Sequence, residues 1–333
     1  MSHAPLQNVQ IDSHRPMEHD SIGKEQQEHH LIHAPKKSYK VLTPEQVEFY
    51  DKFGYIIVRN CVSQAEIQRY KRRFLEIVQG KAIPIEMEIA RDVTCVGRAI
   101  EKETDILRLQ DVQTDPVYST YCENPNVVDI VNDLIGTPGS TLNGNAINPP
   151  DCGKNTSRQP MHQDTPYFPI RPLKNMVCAW TAVDKMTLEN GCLAIEPESH
   201  KLGTVEHDFP QWEASEVNRN YFGVKEYDPE SRSRLHVELD AGDSIFFNMN
   251  IIHGSGVNRS KNCRKAITCH YANGSVCRYI QPEDESQRRV ANAILSATKR
   301  RCKRLGLKYD DNQSLGDYFR RKARLVKRRR ANL

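Results

Sequence analysis

The strongest constraint on the fold is a series of short β-rich segments between Thr141 and Ala272, separated by turn residues. These segments are VCAWTAV, GCLAIEP, LHVELD, DSIFFNMNIIH and RKAITCHYA. Several short strands with turns between them are typical of an all-β sandwich or barrel. Asn190-Gly191 is the clearest turn signal, because both residues tolerate the positive φ of a tight hairpin. The sequence therefore predicts a β core.

Helices are predicted on both sides of this core. Three segments before it begin with a capping residue and continue with helical features, and their caps are Thr43, Ser63 and Asn124. The first two caps are followed three positions later by Gln or Glu, as in a capping box. After Glu283 the pattern is helical again, with Val290 on a candidate buried stripe.

Composition excludes several classes of protein. A chain of 333 residues with 38% hydrophobic content can bury a core. No apolar run approaches the ~20 residues that span a bilayer, and the N-terminus lacks the apolar core of a secretory signal. The ten cysteines contain no C-x-x-C pair, so a zinc ribbon or dithiol centre is not expected. The net charge of +4 is concentrated in RRKARLVKRRR, and no nucleic-acid partner is predicted.

The chain divides into an arm and one domain. Residues 1–40 contain half of the twelve histidines, together with many Gln, Glu and Ser residues. This composition is typical of a disordered arm rather than a packed unit. Residues 41–333 are predicted to form one domain that ends in a helical segment and a basic tail.

The segment MHQDTPYFPIRP contains two candidate metal ligands. Side chains two apart on a strand share a face, so His162 and Asp164 can both point inward. A lone H-x-D is weak evidence, and a site requires a third ligand. His253 is the best candidate because it ends the apolar segment DSIFFNMNIIH, where strand-breaking residues follow. Two histidines and one carboxylate form the facial triad of non-haem Fe(II) oxygenases, which leaves positions open for co-substrate and oxygen.

Arg264 is a candidate for binding a co-substrate. In the large class of these oxygenases that uses 2-oxoglutarate, the far carboxylate of that acid needs a cation, and the guanidinium fork provides two parallel hydrogen bonds. Arg264 opens the segment RKAITCHYA, and an antiparallel hairpin would bring it to the same end of a sheet as His253. His270 lies on the same predicted face. Because three ligands complete the site, His270 is predicted to support a ligand or to pack in the core.

These segments resemble those of the phytanoyl-CoA dioxygenase family over about residues 42–333. The similar stretches occur in the same order and include NPPDCGKNTSRQPMHQD, YFPIRP, VCAWTA, NGCLAIEPESHK, IIHGSG and FRRKARLVKRRRANL. The resemblance implies a mainly β fold. Its core would be a double-stranded β-helix, the jelly-roll or cupin-like architecture, with flanking N- and C-terminal α-helices.

The resemblance also assigns roles to individual residues. It implies Fe(II) bound by His162, Asp164 and His253, and 2-oxoglutarate anchored by Arg264. It further implies supporting roles near the co-substrate for Gln163, Trp180 and Ser255. Where the family pattern has a lysine before V-Q-D, this chain has Arg108 in LRLQD. That change keeps a cation but alters its geometry.

The implied reaction is hydroxylation of the carbon next to the thioester of a methyl-branched fatty acyl-CoA, such as phytanoyl-CoA. 2-Oxoglutarate and O2 would be consumed, and 2-hydroxyacyl-CoA, succinate and CO2 formed, as a step of fatty-acid alpha-oxidation. Ascorbate is a further expected cofactor. Two alternatives remain open. The same chemistry could act on another acyl or small-molecule substrate, or the chain could be a non-catalytic jelly-roll protein that binds a metal.

The C-terminal tripeptide Ala331-Asn332-Leu333 consists of a small residue, a polar residue and leucine, with basic residues upstream. This is a relaxed form of the S-K-L peroxisomal address. The sequence therefore predicts a peroxisomal import receptor as a partner and the peroxisomal matrix as the location. The competing interpretations are a basic helix packed on the β core and, ranked last, a contact with nucleic acid.

Overall fold

The computed structural model describes residues 11–12, 39–81, 83–91, 99–136, 138–148, 158–209, 222–225, 227–228 and 233–322. Most of the predicted arm, residues 1–40, and the C-terminal tripeptide lie outside these ranges. Among the described residues, no helix combines the length and the apolar character that a membrane span requires.

The helices before the β core begin at the predicted caps. Thr43 and Ser63 each accept a hydrogen bond from the backbone three residues on, and both capping boxes are complete. Asn124 caps the helix that opens with Pro125. The described part of the chain contains α1 (Pro44–Phe53), α2 (Gln64–Val78), α3 (Ser119–Cys122), α4 (Pro125–Ile135), α5 (Glu285–Leu305) and α6 (Leu315–Lys322).

A large antiparallel sheet of eight strands forms one wall of the core. Its strands, in spatial order, are β1 (Ile11–Asp12), β2 (Tyr55–Val58), β13 (Ser244–Asn248), β8 (Met176–Ala182), β15 (Arg264–Asn273), β5 (Pro138–Asn148), β4 (Ile106–Gln110) and β3 (Glu88–Arg91).

A four-stranded antiparallel sheet forms the other wall, and two short strand pairs accompany it. The four strands, in order, are β12 (Leu235–Val237), β9 (Leu193–Ile195), β14 (His253–Ser255) and β6 (Gln159–His162). The pairs are β10 (His207–Asp208) with β11 (Gly223–Val224), and β16 (Arg278–Tyr279) with β7 (Ile170–Arg171). The two sheets confirm the predicted jelly-roll core with flanking helices.

The two faces of the large sheet bury different clusters. On β15, Ile267 and Cys269 lie in a cluster with Phe74 of α2 and residues of α4, on the helix-covered outer face. Ala266 of the same strand lies instead in an inner cluster with Trp180 and residues of the small sheet. This alternation follows from the period of two along a strand. The even-numbered residues at the start of β15 therefore face the interior between the sheets.

The chain between β13 and β14 corrects one prediction. The segment DSIFFNMNIIH was expected to be a single strand that ends at His253, but it divides between the two sheets. The side chain of Asn248 accepts a hydrogen bond from the backbone N–H of Asn250 at 2.9 Å, which turns the chain. His253 then opens β14, so the expected hairpin with Arg264 is wrong: β14 and β15 belong to facing sheets.

Candidate metal centre

Two histidines face each other across adjacent strands of the small sheet. His162 ends β6, His253 begins β14, and the two are directly paired in the strand register. Their ring centroids lie 4.2 Å apart. Both side chains are buried. The pairing of β6 with β14 therefore brings together two imidazoles that lie 91 positions apart in the chain.

Each of these rings makes a hydrogen bond to a backbone carbonyl through Nδ1, which leaves Nε2 as the nitrogen directed toward the other ligand atoms. Nδ1 of His162 lies 2.8 Å from the carbonyl oxygen of Pro160, and Nδ1 of His253 lies 3.0 Å from that of Ile251. Because a carbonyl only accepts, each Nδ1 carries the proton and donates it. The lone pair is then on Nε2 in both rings, which is the tautomer that binds metal through Nε2.

Asp164 completes the cluster from a position just beyond β6. It was predicted to lie on the strand, but its backbone is helical, with φ −75° and ψ −23°, at the start of a short 3-10 turn. Its N–H donates to the carbonyl oxygen of Met249 at 3.1 Å. Its Oδ1 lies 3.7 Å from Nε2 of His162 and 3.8 Å from Nε2 of His253. The predicted trio is therefore assembled, although not by strand alternation.

The donor set fits a small divalent cation. Metal–ligand bonds of about 2.1 Å require donor atoms within roughly 4 Å of one another when they occupy adjacent positions. Oδ1 of Asp164 meets this limit with both histidine nitrogens, at 3.7 Å and 3.8 Å. The ligand atoms of all three buried residues lie within 4.8 Å of one another. Two imidazoles and one carboxylate suit Fe(II) and leave coordination positions for other ligands.

Burial controls the charge of these groups. Burial and, to a smaller extent, the nearby His253 lower the pKa of His162 to about 3. His162 is therefore neutral at neutral pH, as a metal ligand must be. Burial alone would raise the pKa of Asp164, but His253, His270 and His162 together outweigh it and lower that pKa below its ordinary value. The carboxylate is consequently ionised.

A third histidine contacts the carboxylate from the large sheet. Nε2 of His270, on β15, lies 3.0 Å from Oδ2 of Asp164. Cys178 pairs with His270 in the strand register. Its sulfur lies within 4.8 Å of the ligand atoms of Asp164 and His270. His270 therefore lies next to the trio and supports a ligand, which is one of the two roles that the sequence predicted for it.

Arg264 and Trp180 lie together on the inner face of the large sheet. Arg264 is buried, and its guanidinium carbon lies 5.8 Å from the centre of the Trp180 ring. At that distance the cation is attracted to the face of the aromatic ring. Arg264 and His270 occupy the same face of β15, six residues apart. Ala266 and Thr268 lie between them on that face.

Arg108 shares this face by strand register. It lies opposite Ala146 of β5, which in turn lies opposite Ala266 of β15. Directly paired residues of an antiparallel sheet point to the same side. Arg108 is thus placed on the inner side, two strands from Arg264. Ser255 is placed on β14, paired with Leu193 and, across a register shift, with Gln159.

Gln163 makes its contacts with backbone groups. Its side-chain Nε2 donates to the carbonyl oxygens of Gly203 and Asn250, at 2.8 Å and 2.7 Å, and its Oε1 accepts from the N–H of Val205 at 2.9 Å. Three of the four hydrogen-bonding positions of the amide are therefore used. These hydrogen bonds fix the chain between His162 and Asp164.

Two further residues at the site were not predicted. Nε2 of His207 accepts a hydrogen bond from the N–H of Gln163 at 2.9 Å, so it anchors the same stretch of chain. Nε2 of Gln159 donates to Nε2 of His162 at 3.1 Å, which places an amide at the metal-facing nitrogen. The only sequence signal for Gln159 is its closeness to His162, three positions later in the chain. His207 has no comparable signal.

Comparison with known proteins identifies the family of this chain. The sequence profile of the phytanoyl-CoA dioxygenase (PhyH) family matches residues 50–266. A probable phytanoyl-CoA dioxygenase of Caenorhabditis elegans is 45% identical over 302 residues, which are 88% of this chain and 96% of that protein. The human peroxisomal phytanoyl-CoA dioxygenase is 37% identical over 295 residues, which are 88% of this chain and 85% of that protein.

Solved structures share the fold at low identity. EctD from S. alaskensis superposes with a TM-score of 0.56 at 17% identity, over 75% of this chain and 84% of that one. The epimerase SnoN, in complex with Fe3+, alpha ketoglutarate and nogalamycin RO, superposes with a TM-score of 0.55 at 16% identity, over 73% and 88%. The predicted cofactors, Fe(II) and 2-oxoglutarate, agree with these similarities. The chain belongs to the phytanoyl-CoA dioxygenase family and is an oxygenase enzyme.

Proposed function

We propose that this protein is a dioxygenase that uses Fe(II), 2-oxoglutarate and O2 to hydroxylate a methyl-branched fatty acyl-CoA, such as phytanoyl-CoA, at the carbon next to the thioester. The observation that carries the proposal is the buried trio of His162, Asp164 and His253, whose ligand atoms lie within 4.8 Å of one another. It is supported by the 45% identity to a probable phytanoyl-CoA dioxygenase.

His162, Asp164 and His253 would hold the Fe(II). The two imidazoles provide nitrogen donors through Nε2, because Nδ1 of each is bound to a carbonyl oxygen, and Asp164 provides one negative charge. When bound there, Fe(II) supplies the redox chemistry that couples decarboxylation of 2-oxoglutarate by O2 to insertion of one oxygen atom into a C–H bond. The protein positions the reacting groups and excludes water from them.

Arg264 would bind the far carboxylate of 2-oxoglutarate. Its guanidinium group never loses its charge and can donate two parallel hydrogen bonds. Trp180 packs against this cation and limits its orientations. Between Arg264 and His270 the inner face of β15 carries Ala266, whose small side chain leaves room for a slender ligand along the strand. Arg108 would add a second positive charge to the same face of the sheet.

Ser255 belongs in this proposal as a supporting residue beside the co-substrate, because it follows His253 by two positions on β14. Gln163 supports the site indirectly through its three backbone hydrogen bonds. O2 is the second co-substrate, and ascorbate is proposed as the reductant that keeps the iron in its ferrous state.

The acyl-CoA substrate is inferred from the names of the relatives. In the balanced reaction, the C–H bond next to the thioester becomes C–OH, while 2-oxoglutarate and O2 yield succinate and CO2. Alpha-oxidation of a 3-methyl-branched acyl chain requires this 2-hydroxylation, because the methyl group on carbon 3 blocks oxidation at that carbon. We accordingly place the enzyme in fatty-acid alpha-oxidation.

Peroxisomal location is part of the proposal. Relatives with 37–38% identity are named as peroxisomal, and Ala331-Asn332-Leu333 fits a receptor-read C-terminal address. These three residues lie outside the described ranges. A fluorescent protein fused to the N-terminus of the full chain should enter peroxisomes. Removal of Leu333 should leave it in the cytosol, and peroxisomal import without Leu333 would contradict the proposed signal.

The substrate is tested with a panel of acyl-CoAs. The metal-free protein is loaded with Fe(II) and 2-oxoglutarate without oxygen, and air is then admitted with a straight-chain acyl-CoA, a 3-methyl-branched acyl-CoA or the corresponding free acids. The proposal predicts matched amounts of succinate and 2-hydroxyacyl-CoA from the branched thioester. Succinate without acyl product would support the same chemistry on another substrate. Neither product from iron-loaded protein would support a non-catalytic metal-binding role.

A further inference from the structure

The two oxygens of the Asp164 carboxylate have different surroundings. Oδ1 lies 3.7 Å and 3.8 Å from the metal-facing nitrogens of His162 and His253. Oδ2 lies 3.0 Å from Nε2 of His270, which belongs to the opposite sheet. One oxygen therefore faces the position of the metal, while the other is bound by the protein itself.

The direction of the hydrogen bond follows from the charge of the carboxylate. An ionised carboxylate is only an acceptor, so the proton between Oδ2 and His270 must lie on Nε2 of the imidazole. The bond to a charged acceptor is stronger than a neutral one. His270 is thereby a donor to Oδ2 of Asp164, while Oδ1 lies nearest the metal-facing nitrogens of His162 and His253.

The ring of His270 is held in place by its neighbours. The ring of Phe168 lies 4.5 Å from it, tilted by 37°. Phe168 in turn packs against Phe319 of α6, at 5.5 Å. The backbone of His270 is fixed in the middle of β15, opposite Cys178 of β8. A donor in such a packed setting can hold the carboxylate in one orientation.

We propose that His270 is a positioning residue that keeps Asp164 a monodentate metal ligand, through a hydrogen bond that occupies Oδ2. If the carboxylate rotated so that both of its oxygens bound the metal, it would occupy one more coordination position. 2-Oxoglutarate and O2 need that position. The inference rests on the proposed metal site, and it adds a residue to that site from the large sheet.

The competing role for His270 is packing alone, with the ring serving as a spacer beside Phe168. Two substitutions separate the roles. His270→Gln keeps a nitrogen donor near the position of Nε2, while His270→Leu removes the donor and retains an apolar side chain. Cys178→Ala is the matched control, because it removes buried volume beside the same pair and leaves the hydrogen bond to Asp164 intact.

The probe is Co(II), added to the metal-free protein without 2-oxoglutarate or substrate, with its affinity and visible absorption spectrum as readouts. Removing the hydrogen-bond partner of a metal ligand typically lowers metal affinity by about 10–100-fold. We expect a decrease of this size in the Co(II) affinity of His270→Leu. The spectrum should also change, because the coordination number rises when Asp164 becomes bidentate. His270→Gln and Cys178→Ala should retain the wild-type spectrum and an affinity close to that of the wild type.

Two results would overturn the inference. One is a leucine variant that binds Co(II) with the affinity and spectrum of the wild type. The other is a glutamine variant as impaired as the leucine variant, which would assign His270 to packing. If the leucine variant does not fold, His270→Phe takes its place, because it retains an aromatic ring against Phe168 and lacks the donor. Failure of the wild type to bind Co(II) would reject the proposed metal site itself.

Discussion

His253 lies directly opposite His162 in the register of β14 and β6, with the two ring centroids 4.2 Å apart. This close pairing depends on how near the two strands can approach. Gly254 follows His253, and a Cβ atom at this position would lie 2.9 Å from the carbonyl oxygen of Gln159 and 2.9 Å from Sδ of Met161. The absence of a side chain at Gly254 therefore sets the distance between the strands that carry the two histidines.

Gly254→Ala is expected to separate β14 from β6 and to weaken metal binding, because the added methyl group meets backbone of the strand that holds His162. We expect Co(II) affinity to fall by about tenfold or more, in line with a displaced ligand. The matched control is Gly256→Ala, whose Cβ would lie 3.4 Å from Cα of Gly191. Equal Co(II) affinities in the two variants would show that strand separation does not control the site.

Arg264→Lys should raise the KM for 2-oxoglutarate by about 10–100-fold, because a single ammonium replaces a bidentate, charge-assisted pair of hydrogen bonds. Steady-state succinate formation at saturating acyl-CoA measures this effect. Arg259→Lys, an exposed change five positions earlier, should leave the KM unchanged. An unaltered KM in the Arg264 variant would remove this residue from the co-substrate site.

Gln163→Leu should destabilise the protein by at least ~2 kcal/mol, because buried backbone groups at Gly203, Val205 and Asn250 lose their partner. Urea unfolding of the metal-free protein gives this free energy. Gln64 is the control, since its exposed amide also donates to a backbone carbonyl, that of Ala241. Gln64→Leu should change the free energy of unfolding by less than ~0.5 kcal/mol. Similar decreases in both variants would show that the hydrogen bonds of Gln163 do not stabilise the chain between His162 and Asp164.

A buried ion pair joins α2 to the turn before α3. Nε of Arg73 lies 2.8 Å from Oδ2 of Asp115, whose side chain is fully buried. Arg73→Met leaves that carboxylate without its cation and should cost about 3–5 kcal/mol. Lys185→Met, which breaks an exposed pair with Asp240, should cost less than ~1 kcal/mol. Urea unfolding of both variants measures the two free energies of unfolding. Equal decreases would show that the buried pair contributes no more to stability than the exposed pair.

The sequence predicted the parts of the fold that local chemistry determines. The caps at Thr43 and Ser63 were identified because a capping box is a pattern of four consecutive positions. The three candidate ligands were found because chemistry restricts which residue types can bind iron. The resemblance to a known family supplied the jelly-roll topology, which strand patterns alone left open between sandwich and barrel.

What the sequence missed depends on distant contacts. The hydrogen bond between His270 and Asp164 joins residues 106 positions apart, and no local pattern distinguishes a supporting histidine from one that packs. The division of DSIFFNMNIIH into two strands was missed because its apolar run masks the turn that Asn248 initiates. The hydrogen bonds of Gln163 were not predicted either, because its partners are backbone groups 40 or more positions away.

The central claim is that the trio of His162, Asp164 and His253 supports a dioxygenase reaction on an acyl-CoA. The most direct measurement is turnover of a 3-methyl-branched acyl-CoA under 18O2 in ordinary water, with mass spectrometry of both products. The account predicts one labelled oxygen in succinate and one in the new hydroxyl group, with neither product formed by Asp164→Ala. Acyl product without labelled succinate, or unchanged turnover in Asp164→Ala, would contradict it.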